Sequence, residues 1–283
     1  MSNGTNVTVN AEHKDRLFNF IFGREENRSW TLSLYNAVNG SDHEDESLIE
    51  FNTLEDVMYL SMKNDTSFLI GNIMSVYEHQ STFNPNMPLR LMEYVGRLYS
   101  GYISRNKFNK YGEKLIPLPT PKLVVFYNGL KEQSDEMILR LSDSFKEDHR
   151  GKADIEVKVR MLNVNYGRNN KLMDKCKPLA EYAWFIDEIR NNRKEHDIEV
   201  SVKRVIDLMP DSYIIKNFLI GHRIGILVIA SLSPYFRCSI EEELVFGIRE
   251  YHSGHVPALC YDVESLGQVV DVLVDDGTDF GNH

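Results

Sequence analysis

The stretch that most constrains the fold is Asp65-Thr66-Ser67-Phe68-Leu69-Ile70-Gly71-Asn72-Ile73-Met74-Ser75-Val76-Tyr77-Glu78-His79-Gln80. Two apolar runs rich in β-branched residues flank Gly71-Asn72, a dipeptide suited to a two-residue hairpin turn. With the turn there, Ile70 pairs with Ile73, and counting outward sets Asp65 opposite Glu78 and Lys63 opposite Gln80. Side chains alternate along a strand. One face therefore carries Lys63, Asp65, Ser67 and Leu69 against Met74, Val76, Glu78 and Gln80, and the other carries Thr66, Phe68 and Ile70 against Ile73, Tyr77 and His79.

Like charges directly opposite each other on a sheet repel, so Asp65 across from Glu78 calls for compensation. A divalent cation supplies it: two carboxylates and waters make the hard-oxygen site that Mg²⁺ takes, with Mn²⁺ as an alternative ion. The competing reading of the same spacing is that either acid is a solvated edge residue or an ion-pair partner of Lys63.

The residues on either side bear on that choice. Met87-Pro88 opens a helix with proline in its tolerated first turn. Along it Met92, Val95, Leu98 and Tyr102 point to a core, while Arg90, Tyr94 and Arg97 share a second face at i, i+4 and i+7. Two guanidiniums and a phenol suit phosphate oxygens, because arginine offers planar bidentate donors; a solvated face with local ion pairs is the alternative. Asp56, before an expected strand over 57–62, is the rival first acid, but it would stand a whole strand away from Glu78. Asp15, at the start of a helix ending in Phe22-Gly23, reads as a metal candidate or, more simply, as a helix-start acid.

The remaining pattern is that of a mixed α/β protein. A second helix runs from Trp30 to Val38 and ends at Asn39-Gly40. In the segment Lys122 to Tyr127 every residue after the lysine is apolar or aromatic, the mark of a strand buried on both faces. The spacing predicts a helix from about 134 to 146, a strand over 155–164, a helical stretch over 172–190 interrupted by Pro178, and another over 200–208. These elements predict a three-layer α/β fold around a mixed sheet.

Composition excludes some classes. The three cysteines form no CxxC pair, so neither a disulfide framework nor a zinc knuckle is indicated. The longest apolar run, 224–230, is too short to span a bilayer, and residues 1–10 do not have the form of a signal peptide. A cytoplasmic protein with no membrane partner is expected. The net charge of −10 argues against a nucleic-acid partner only until its location is considered: residues 240–283 hold ten acids and one arginine, which leaves 1–239 nearly balanced.

Several pieces together resemble a known family. They are Asp15-Arg16-Leu17-Phe18, Leu34-Tyr35-Asn36-Ala37, Lys63-Asn64-Asp65, Glu78-His79-Gln80-Ser81-Thr82, Asn84-Pro85-Asn86-Met87-Pro88-Leu89-Arg90, Phe126-Tyr127-Asn128-Gly129, Asn165-Tyr166-Gly167 and Leu208-Met209-Pro210-Asp211. Over residues 12–220 the chain resembles the Rpn recombination-promoting nucleases, transposase-like proteins of the PD-(D/E)XK nuclease superfamily.

The resemblance implies a restriction-endonuclease-like core and Mg²⁺-dependent hydrolysis of DNA phosphodiester bonds. It makes Asp65 and Glu78 the metal ligands and puts Gln80 where a catalytic lysine commonly stands. Glutamine can orient water but cannot take a proton, so Lys63, opposite it in the register, is a candidate for the missing cation. DNA is the implied partner and a homodimer a candidate assembly. The expected organisation is a polar lead over 1–11, the nuclease-like domain over 12–220, and a divergent acidic segment over 221–283.

Overall fold

The computed structural model describes residues 11–51 and 65–222, and of 11–16 and Asp65 it describes the backbone alone. The expected strand over 57–62, Asp56, Lys63 and the acidic segment after 222 lie outside the described residues.

The centre of the fold is the hairpin of β2 (Asp65–Ile70) and β3 (Ile73–Gln80). Its antiparallel register pairs Ile70 with Ile73 and Asp65 with Glu78, as counting from the turn predicts. Gly71 adopts a φ of 55°, a conformation that a side chain would strain and that tight hairpin turns require of a first-position glycine. The short strand β1 (Ile49–Phe51) pairs antiparallel with β2 at one edge.

On the other side β4 (Thr120–Tyr127) runs parallel to β3, and β6 (Lys158–Asn163) runs parallel to β4. The edge strand β5 (Glu136–Arg140) is antiparallel to β6. The sheet order is therefore β1-β2-β3-β4-β6-β5. Burial of β4 between two parallel neighbours explains its unbroken apolar sequence from Leu123 to Tyr127.

Helices cover both faces. Leu69, Met74 and Val76 face α3 (Met87–Arg105), which buries Leu91, Tyr94, Val95 and Leu98 against them together with Val125 and Tyr127. The opposite hairpin face, Phe68, Ile70 and Tyr77, joins Val124 and Phe126 in a larger core. That core is closed by α1 (Ala11–Phe22), α2 (Arg28–Asn39), α5 (Lys177–Asn192), α6 (Ile198–Leu208) and the short helices α4 (Asn170–Lys175) and α7 (Lys216–Gly221). This is an α/β fold with a six-stranded mixed sheet between helical layers, consistent with a restriction-endonuclease-like core.

Two expectations need correction, and two local features add to the sequence reading. The predicted helix over 134–146 is strand β5 followed by a 3₁₀ turn at Leu141–Ser144. Glu, Met, Leu and Arg are among the better helix formers, but intrinsic propensity is small and pairing with β6 supplies a tertiary partner that overrides it. Tyr94 belongs to the core-facing stripe of α3 at positions 91, 94, 95 and 98, and not to the outward face with Arg90 and Arg97.

Strand β1 follows the acidic residues 42–46, at positions to which the sequence reading assigned no element. Gly23 ends α1 without the left-handed φ of a capping glycine; a Cβ there would stand 2.7 Å from Asn19 O and 2.9 Å from Thr66 Oγ1. Absence of a side chain thus lets α1 close on the first turn of β2, where Thr66 Oγ1 donates to Asn19 Oδ1 at 2.6 Å. Gly40, by contrast, is a true left-handed cap of α2 with φ 68°.

Candidate active site

The open end of the hairpin and the first turn of α3 form one polar cluster. Strand β3 ends at Gln80, a six-residue turn follows, and α3 begins at Met87 with Pro88 in its first turn. The chain thereby folds back over the strand it has just left. Arg90, one turn into α3, reaches Glu78: its Nη2 stands 2.8 Å from Glu78 Oε1. Gln80, two residues beyond Glu78 on the same face of β3, donates from Nε2 to the same oxygen at 3.2 Å. The thioether of Met87 lies against both the Gln80 amide and Arg90 Nη1.

Burial sharpens the chemistry. Glu78 is only 3 % exposed, whereas the Arg90 side chain is 41 % exposed. A nearly buried carboxylate is therefore held by a cation that keeps one side in solvent, a geometry able to meet an incoming anion. Directly across the register stands Asp65. Beneath them, Tyr94 is buried and its hydroxyl is 3.3 Å from Ser67 Oγ, which stands on the same hairpin face. Tyr94 thus forms part of the floor of the cluster, while Arg97 sits one turn further along α3, half-buried.

The alternation of β3 puts His79 on the far face. Its Nε2 lies 3.1 Å from Tyr182 Oη, and its ring stacks on Phe18 at 4.9 Å. His79 is an aromatic core residue tying α1 and α5 to the strand that carries Glu78 and Gln80. Asp15 stands in α1.

A second polar network lies at the ends of the central parallel strands, and the sequence reading missed it. Arg190 of α5 donates through Nη2 to both the carbonyl and the side-chain oxygen of Asn128, and through Nη1 to Asn165 Oδ1 at 2.8 Å. Asn165 Nδ2 in turn donates to Gly129 O at 3.0 Å. Gly129 has no room for a side chain: a Cβ would stand 2.5 Å from the backbone oxygen of Ser81, the residue after Gln80. The Arg190 network therefore ties the β4 exit to the β6 exit, and Asn128 N, donating to Gln80 O at 2.8 Å, joins that network to the backbone of the Glu78 cluster. The turn-like pairs Asn128-Gly129 and Tyr166-Gly167 were its visible sequence signal; the arginine that links them is far away in sequence.

The family model described as "Putative transposase, YhgA-like" matches residues 39–214, more than half of the chain. The chain belongs to this YhgA-like family. The family match spans all six strands, α3 and the Arg190 network, so it covers the whole polar cluster built around Glu78. No curated protein and no solved structure gives a match. Among the described residues, no helix is long and apolar enough to cross a membrane.

Proposed function

We propose that this protein is a divalent-metal-dependent DNA endonuclease acting in the transposon-associated setting that its family description indicates. The observation that carries the reading is the register: a buried glutamate stands opposite an aspartate at the open end of a hairpin, with an arginine and a glutamine converging on its oxygen.

The donor set fits Mg²⁺. Asp65 and Glu78 would hold the ion, and Mn²⁺ is accommodated by the same hard oxygens. Among the described residues no group of three or more His, Cys, Asp or Glu gathers to hold a metal, so the ion would rest on this carboxylate pair, and Mg²⁺ needs only one or two carboxylates because it retains water. When bound, the ion polarises the phosphate and lowers the pKa of the attacking water.

This chain's own residues do the rest. Arg90 presents a partly exposed guanidinium to the non-bridging phosphate oxygens and offsets their charge beside the carboxylates. Arg97, two turns on, extends that contact along the DNA backbone. Gln80 has both a carbonyl and an amide at the end of its side chain, so it can orient the attacking water by accepting and donating hydrogen bonds. It carries no titratable proton, and the water's proton must leave to solvent or to a phosphate oxygen. Asp15 and Lys63 are secondary candidates, the first for the metal and the second for a cation opposite Gln80.

A second reading is favoured by one contact: Arg90 already neutralises Glu78, which suits a DNA-binding protein that has kept the nuclease fold without cleavage. Plasmid nicking separates the two. The nuclease reading expects Mg²⁺-dependent nicking that EDTA abolishes and that Asp65→Asn and Glu78→Gln, each folded by circular dichroism, reduce by at least about 100-fold, or about 2.7 kcal/mol in the barrier. DNA binding without nicking in either Mg²⁺ or Mn²⁺ would favour the silent protein.

A further inference from the structure

The chain carries a net charge of −10, yet residues 94–122 hold six bases, Arg97, Arg105, Lys107, Lys110, Lys114 and Lys122, and a single acid, Glu113. This stretch begins in the site helix α3 and continues through the connection to β4. The connection between Asn106 and Pro119 is held at both its ends. Lys107 takes a left-handed φ of 54°, Phe108 N donates to Ile103 O at 3.0 Å, and Gly112 N donates to Asn109 O at 3.1 Å. Phe108 packs on Tyr102, and Tyr99 Oη donates to Pro119 O at 2.9 Å, pinning the return of the loop to the helix.

Two apolar side chains of this loop take no part in the core. Tyr111 is 87 % exposed and Leu115 is 97 % exposed, between lysines at 107, 110 and 114 that are all solvent-facing. Among the described residues none of these three lysines forms an ion pair; Lys110 instead stands 5.3 Å from the centroid of the Tyr111 ring. Isolated exposed apolar residues are ordinary. An aromatic ring and a leucine exposed among lysines without ion-pair partners form a combination suited to a duplex, the lysines meeting its phosphates and the apolar groups its sugars.

The geometry points to a second DNA contact: we infer that the 106–119 loop grips the backbone of double-stranded DNA flanking the phosphate at the Glu78 cluster. This rests on the proposed nuclease reading for the identity of the polymer. Arg90 and Arg97 lie seven residues apart on nearly the same side of α3. Asn106 follows Arg90 by sixteen residues, about 24 Å at the helical rise. That distance equals about seven nucleotides along one strand at 3.4 Å each. The helix thus acts as a spacer between the site and the loop, and Tyr111 contacts the sugar or base edge beside the phosphates held by Lys107, Lys110 and Lys114.

The test uses the full chain carrying Glu78→Gln in EDTA, so that binding is read without cleavage, and a labelled 30-base-pair duplex followed by fluorescence anisotropy across a KCl series. Adding Lys107→Ala/Lys110→Ala/Lys114→Ala is expected to weaken binding at least about tenfold at low salt and to flatten the slope of log K against log salt by up to about 2.7, at 0.9 per phosphate contact. Tyr111→Ala should weaken binding without changing the slope, and Tyr111→Phe should restore it.

An unchanged slope and affinity in the triple variant overturns the inference, as does lysine-dependent binding to duplex RNA or to phosphatidylserine vesicles that exceeds binding to DNA. Nicking by the wild-type protein combined with an unaltered salt slope leaves the nuclease reading standing and removes this one. Lysine-dependent DNA binding without nicking does the reverse.

Discussion

Replacing Arg90 tests the central electrostatic contact of the cluster. Arg90→Met keeps much of the stem but removes the guanidinium that stands 2.8 Å from Glu78 Oε1. Breaking a buried ion pair by removing one partner costs about 3–5 kcal/mol, because a charge is left buried and unpaired. Exposed pairs contribute only about 0–1 kcal/mol. With Glu78 almost fully buried and Arg90 41 % exposed, this pair lies between those limits. A loss of about 2 kcal/mol is expected, equivalent to a fall of about 1 M in the urea midpoint for an m-value near 2 kcal/mol/M.

The cause is separable from lost packing. Glu78→Gln leaves no buried charge, so Arg90→Met in that background should cost at least about 1 kcal/mol less than in the wild type. Urea unfolding of the wild type, both single variants and the double variant, without divalent ions, measures this. Costs that add to within about 0.5 kcal/mol would refute the coupling. Because Arg90 occupies the oxygen an ion would use, Mg²⁺ should also raise the midpoint of Arg90→Met more than that of the wild type.

Further expectations concern the supports of the site. Gly129→Ala forces a methyl against the backbone of Ser81 and should destabilise by about 1–3 kcal/mol in urea unfolding; an unchanged midpoint would contradict the close approach. Glu181, which accepts from Ile215 N at 3.0 Å, has its carboxyl pushed above the usual range by burial. The folded state then holds its proton more tightly than the unfolded chain, so Glu181's contribution to stability falls as pH rises from the ordinary carboxylate value through the raised one. Glu181→Gln removes this loss, and its stability relative to wild type should improve between pH 4 and pH 7; a constant difference would be the wrong result. Burial pushes the Cys176 thiol up to about 11, so native protein at pH 8 should show alkylation of this residue only after unfolding, as read by peptide mass mapping.

Much of the hairpin was legible because its information is local. Turn chemistry, alternating faces and two apolar runs all agree on one register, and Asp65 opposite Glu78 follows by counting. Strand β4 was legible for a different reason: both of its faces are buried, so the sequence is continuously apolar. The segment around Met137, Ile138 and Leu139 was not, because an edge strand with one buried face shares its residues with an amphipathic helix, and only pairing with β6 decides. β1 was too short to leave a pattern. Tyr94 was misplaced because it combines a large apolar ring with a polar tip: its ring joins the core while its hydroxyl reaches Ser67.

The family resemblance and the family match agree, and the candidate site lies inside the matched span. Convergence of Gln80 and Arg90 on Glu78 could not be read from spacing, since it depends on how sharply the chain turns between β3 and α3. Arg190 was still further from view. It joins Asn128 and Asn165 across three separate elements, and no local pattern marks an arginine in the last turn of a helix as the link between two loops.

Isothermal titration of Mg²⁺ into the wild type, Asp65→Asn and Glu78→Gln is the most direct measurement of whether the paired strand positions form one ion site. Saturable binding in the wild type, weakened at least about tenfold by either single substitution, or about 1.4 kcal/mol, is the predicted result. Equal binding by the wild type and either variant would contradict the account.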